Sequence, residues 1–128
     1  MMTSFGTVPR MIDQRSRPDA LPARDDAAAL RSAGGDADLA RELLDALLAG
    51  LPAEIQEFRA CIAESDWTAL AEHAHQVRGA TRYCGVPALD EAIEALERTA
   101  RLGDAVLISD GFSAVESQAS RLVDALRV

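Results

Sequence analysis

Between residues 36 and 126, apolar side chains recur every three or four positions, the period of a helix that buries one face. The first such stripe is Leu44, Leu47, Leu51, Ile55, Phe58 and Ile62, with Asp36 or Asp38 available as its N-cap. Pro52 falls inside it with no N–H for the carbonyl of Leu48, which predicts a kink or a split near Gly50-Leu51-Pro52. Ser65-Asp66 caps a second helix whose seam is Trp67, Leu70, Ala74, Val77, Thr81 and Cys84. Gly85 ends that helix, and Pro87 opens a third where a missing N–H costs nothing, with Asp90 and Glu91 near its positive end. Leu89, Ala92, Ile93, Leu96 and Ala100 form the inner stripe of this third helix. After the turn Leu102-Gly103-Asp104, a last helix aligns Ile108, Phe112, Val115, Ala119, Leu122 and Leu126. Four amphipathic helices, short turns and no strand alternation predict an all-α fold, an antiparallel up-and-down four-helix bundle. A short extra helix is expected ahead of it over residues 25–32, broken by Gly34-Gly35.

Residues 1–23 carry three prolines and no sustained period, and are expected to form a flexible leader or linker; residues 24–128 are the expected bundle domain. A chain of 128 residues suits one core and needs no disulfide or metal to hold it. Cys61 and Cys84 have no metal-ligand spacing, so both are expected as reduced core residues in the cytoplasm. The formal net charge is -8, from 21 acidic residues against 13 basic ones, all Arg. A surface of that sign repels nucleic-acid phosphates and anionic lipid, so neither is an expected partner. Across residues 75–102, however, Arg78, Arg82, Arg98 and Arg101 balance Asp90, Glu91, Glu94 and Glu97. That stretch predicts a locally neutral or positive patch on an acidic body, with Arg82, Arg98 and Arg101 as expected partner contacts.

The chemistry concentrates at HAHQVRGATRYCGVPAL, residues 73–89. His75 follows Ala74 of the seam, so its ring is expected at the border of the buried face, reaching solvent. Residues three, four and seven positions later share its face, and these are Arg78, Gly79 and Arg82. The guanidinium groups can offset charge on a phosphoryl group, and Gly79 leaves a bare patch by which another protein can approach the imidazole. A mid-helix glycine costs about 1 kcal/mol against alanine, which calls for a reason. Antiparallel helices joined at Gly85-Val86 would set residue 75 level with residue 96, within a turn, which makes Glu97 the neighbour across the hairpin. Its carboxylate could accept a hydrogen bond from Nδ1–H of His75 and leave Nε2 as the nucleophile, or simply pair with Arg101 four residues on. The residues alone leave these two readings even.

The run His75-Gln76-Val77-Arg78-Gly79-Ala80, with Gly85 ten residues after the His, resembles the histidine-containing phosphotransfer (HPt) domain pattern. With Tyr83-Cys84-Gly85-Val86-Pro87 it looks especially like the C-terminal HPt domains of tripartite hybrid sensor histidine kinases of the global-activator type. The similarity covers about residues 24–127, including Asp38-Leu39-Ala40-Arg41. The resemblance implies a bacterial phosphorelay in which His75 takes a phosphoryl group at Nε2 from a receiver-domain aspartate and passes it to a response regulator. It also makes Arg78 the basic residue beside the His, where most members have Lys, and Gly79 the access glycine. Many relatives have Gln at the position of Glu97, so the resemblance does not assign that residue's role.

Such a module needs position and electrostatics rather than its own catalytic apparatus. No cofactor is expected, since the divalent metal would belong to the receiver, and neither ATPase nor kinase activity is expected without a phosphate loop. A bundle of this kind is expected to be a monomer that contacts no membrane. The competing reading is a bundle that binds receivers without being phosphorylated. A metal site is disfavoured, because His73 and His75 stand about 200° apart around a helix, and His73 is expected in solvent.

Overall fold

The computed structural model describes residues 21–127, in which five helices follow one another. They are α1 (Asp26–Ser32), α2 (Ala37–Ala63), α3 (Trp67–Thr81), α4 (Pro87–Leu102) and α5 (Ala105–Leu126). Four start on an aspartate whose carboxylate accepts from backbone N–H groups of the first turn: Asp25, Asp36, Asp66 and Asp104. Each satisfies donors that have no partner inside the helix. The exception is α4, which begins at Pro87 and needs one donor fewer. It closes on Gly103, whose left-handed φ of +71° lets its N–H reach the carbonyls of Thr99 and Ala100.

Pro52 does not split α2, which runs unbroken from Ala37 to Ala63. One hydrogen bond is forfeited at the exposed side of the helix, while buried Leu44, Leu47, Leu51 and Phe58 hold both halves on the same core. Residues deep on either side of the proline thus outweigh its local cost.

Helices α2 to α5 pack in sequence, most extensively α3 on α4 and α4 on α5, and α5 returns to α2 to close the bundle. Phe58, Leu70, Leu89, Ile93, Leu96, Ile108 and Leu122 are wholly enclosed at its centre. This is the expected four-helix bundle with a short helix before it. Residues 1–20 of the expected leader lie outside the described residues. Residues 21–23, which composition groups with that leader, are tied down: Arg121 donates to the Leu21 carbonyl at 2.7 Å, and the Ala88 N–H reaches the Pro22 carbonyl. Arg24 donates to the Cys84 carbonyl, and the Asp25 N–H to that of Gly85 at 2.8 Å. The chain ahead of α1 thereby straps the α3–α4 turn.

Candidate functional site

The buried seam of α3, Leu70, Ala74, Val77 and Thr81, turns its two flanks toward different neighbours. His75 lies on the α4 flank, with its side chain 64% exposed. His73 lies on the α2 flank and is not a solvent residue as expected: it is 17% exposed, packed edge-on against Phe58 with ring centroids 4.9 Å apart. Its Nε2 stands 3.2 Å from a Glu54 carboxylate oxygen, an ion-pairing distance without the alignment of a hydrogen bond. The two histidines therefore face separate partners and do not share one.

Across the hairpin, Glu97 of α4 brings Oε2 to 3.2 Å from Nδ1 of His75. The same oxygen accepts from Arg101, at 2.8 and 3.3 Å. The two roles left open for Glu97 are thus held together on a single atom. Only 12% of the Glu97 side chain is exposed, and burial by itself pushes its carboxyl pKa up. Hydrogen bonds from Arg101 and His75, with their charges, outweigh that and hold it below its ordinary value. A carboxylate kept ionised can only accept, so Nδ1 must carry the proton and Nε2 the lone pair. The contact favours the tautomer whose exposed Nε2 carries no proton.

Arg78, one turn along α3, is 14% exposed and faces α4. Its Nε and Nη2 lie 3.3 and 3.4 Å from the Asp90 carboxylate, and Nη1 lies 3.5 Å from Glu94. Burial works against its charge, but the hydrogen bond and charge of Asp90, then the charges of Glu94 and Glu97, prevail and raise its pKa. Buried Thr81 donates to Asp90 Oδ1 at 2.7 Å, securing the carboxylate from the core side. Thr81, Asp90 and Glu94 were not among the expected site residues. The level-matching that pairs 75 with 97 also pairs 78 with 94, so their signal is present in the hairpin register.

The remaining expected contacts are exposed, Arg98 paired with Glu94 at 3.3 Å and Arg101 with Glu97. Arg82 is exposed at the C-terminal cap of α3. Gly79 opens on nothing: a Cβ built on it meets no atom within 4 Å. It borders a groove of about 470 Å³ between α2 and α3, lined among others by Leu43, Leu47, Gly50, Val77 and Tyr83. Leu43 and Tyr83 there are large apolar residues that reach solvent. Both thiols are buried, Cys84 behind this groove, and burial pushes the pKa of each up. Neither thiol is poised as a nucleophile. Among the described residues, no helix is long and apolar enough to cross a membrane.

Against known proteins, residues 42–127 match the model of the Hpt domain family. The sensor histidine kinase GacS of Pseudomonas protegens is 46% identical over 76 residues, 59% of this chain, and the sensor protein GacS of Pseudomonas syringae pv. syringae is 48% identical over 68 residues, 53% of it. The chain spans about 8% of the length of either relative. Among solved structures, the HPT domain of a sensor hybrid histidine kinase from Shewanella superposes with a TM-score of 0.60, covering 83% of this chain and 97% of that one at 22% identity. At that identity the likeness is one of fold. The family match takes in α3, α4 and α5 whole and more than half of the chain, which therefore belongs to the Hpt domain family, the phosphotransfer modules of two-component signalling.

Proposed function

We propose that this domain accepts a phosphoryl group on Nε2 of His75 from the aspartyl phosphate of one receiver domain and delivers it to the aspartate of another, that of a response regulator. The observation that carries this reading is the exposed imidazole whose Nδ1–H is committed to the ionised carboxylate of Glu97. In the accepting step the Nε2 lone pair forms an N–P bond as the acyl O–P bond breaks, and the electron pair stays on the departing carboxylate. The ring then bears positive charge with its proton still on Nδ1. Glu97 stabilises that charge where it develops, which favours the transfer more than it favours the resting ring.

The groove beside Gly79 supports docking of a receiver, since its apolar walls and missing side chain allow a protein surface to approach the ring. The receiver supplies the acidic pocket and its divalent metal; this domain binds no cofactor and neither hydrolyses ATP nor phosphorylates itself. It acts as a monomer in the cytoplasm and needs neither nucleic acid nor membrane. Incubation with a labelled phospho-receiver tests the reading: the protein should take up acid-labile phosphate, and His75→Ala should take up none. Docking without label would make it a binding-only module, and equal labelling of His75→Ala would put the phosphoryl group on another residue; either refutes the proposal.

A further inference from the structure

Once a phosphoryl group sits on Nε2, close to two negative charges stand at the rim of α3. The guanidinium one turn further along the same face is Arg78, the natural counter-ion. Yet all three nitrogens of Arg78 face carboxylates of α4, Nε and Nη2 toward Asp90 and Nη1 toward Glu94. These contacts, 3.3 to 3.5 Å, are longer than the 2.7–2.9 Å typical of charge-assisted bonds. They hold the guanidinium without locking it. Asp90 itself is firmly placed, by the Thr81 hydroxyl at 2.7 Å and by its position in the first turn of α4, where the helix dipole favours negative charge. Glu94 is less committed, because its other oxygen serves Arg98.

We propose that Asp90, anchored by Thr81, is a positioning residue that retains Arg78 against the phosphoryl group on His75 and thereby keeps the phosphohistidine a ready donor. The inference rests on the phosphotransfer reading and deepens it. In the onward step the N–P bond breaks, its electron pair returns to the imidazole, and an O–P bond forms to the receiver carboxylate while the Nδ1 proton stays opposite Glu97. A guanidinium bound to the phosphoryl oxygens would have to be given up in that step, so tight pairing would hold the group on the His. Asp90 competes for the same guanidinium and limits that pairing. The phosphoryl group is then shared between His75 and the receiver rather than trapped on the carrier.

Asp90→Asn tests this, since the amide oxygen still accepts from Thr81 while the charge that holds Arg78 is removed. The full chain is equilibrated with a labelled receiver, and the label partition is read alongside the half-life of phosphohistidine made chemically with phosphoramidate. Asp90→Asn should shift the partition toward His75 by about tenfold, the scale of one hydrogen bond to a charged group, and lengthen the half-life. Thr81→Val should move both in the same direction by less. In an Arg78→Ala background, Asp90→Asn should have no further effect. An unchanged partition in Asp90→Asn, or the same shift with Arg78 absent, would overturn the proposal, as would an effect confined to the melting temperature. Absence of label on the parent protein would instead bring down the phosphotransfer reading, and this inference with it.

Discussion

Gly79 and Gly85 are six residues apart, one on the exposed face of α3 and one in the turn after it, and they are glycine for opposite reasons. A side chain at Gly79 would meet nothing within 4 Å, and the backbone there is ordinary helix. At Gly85 the backbone is left-handed, φ +69°, and a Cβ would overlap the Asp25 carbonyl oxygen and lie 2.8 Å from Ala29 Cβ. The fold requires the second glycine and is indifferent to the first. Nothing in the packing demands a glycine at 79, where it borders the apolar groove one turn from His75, and that is the space the proposed docking would use.

The sharpest way to break this contrast is Gly85→Ala. Left-handed strain and the overlap with the strap should together cost about 2–5 kcal/mol, read from urea unfolding. A loss under about 0.5 kcal/mol would mean that the turn repacks and that its glycine is not structural. Gly79→Leu should do the reverse. Stability should not fall, because leucine also gains helix propensity over glycine at an open position, while the rate of label uptake from a phospho-receiver falls at least about tenfold, or 1.4 kcal/mol of lost docking. Unchanged uptake would end the access role.

A smaller effect lies in the pH dependence of stability. Because the Glu97 carboxyl is held below its ordinary value of 4.5, its contribution is present above that value and lost as pH falls through the depressed pKa. Urea midpoints of the parent and of Glu97→Gln should therefore differ at pH 7 and converge in acid; a gap that widened with acid would contradict the sign. Smallest of all, Gly79→Ala should raise stability by up to about 1 kcal/mol, because an open helical position gains propensity without a clash. If it destabilised the protein instead, the space beside Gly79 would not be empty.

Much of this was legible before any coordinates. The caps Asp36 and Asp66, Pro87 at the head of α4 and Gly103 at its end follow from local chemistry, and local chemistry prevails there because the residues are at helix ends. Level-matching across the turn at Gly85 placed Glu97 beside His75 because equal rise per residue leaves little choice. Pro52 left a kink and a split both open for the contrary reason, since the continuity of α2 is decided by a core that no local window contains. His73 misled because Ala74 alone lies between it and His75 on α3, yet those two residues of phase separate the flank facing α4 from the flank facing α2 and Phe58. Asp90 and Glu94 are harder to find from sequence, because a side chain as long as Arg78 reaches sideways from its own helix face to the carboxylates on α4.

The connection between α3 and α4 acts as a vernier. It sets how far one helix is slid and rolled against the other, and every rung across that seam, 75 to 97 and 78 to 94, reads off the same setting. One inserted residue, if absorbed by α4, would advance it by about 1.5 Å and roll it by about 100°, carrying both acids off their rungs at a stroke. The five residues numbered 82–86 therefore set the contact between the His75 ring and the Glu97 carboxylate as surely as the two side chains that make it.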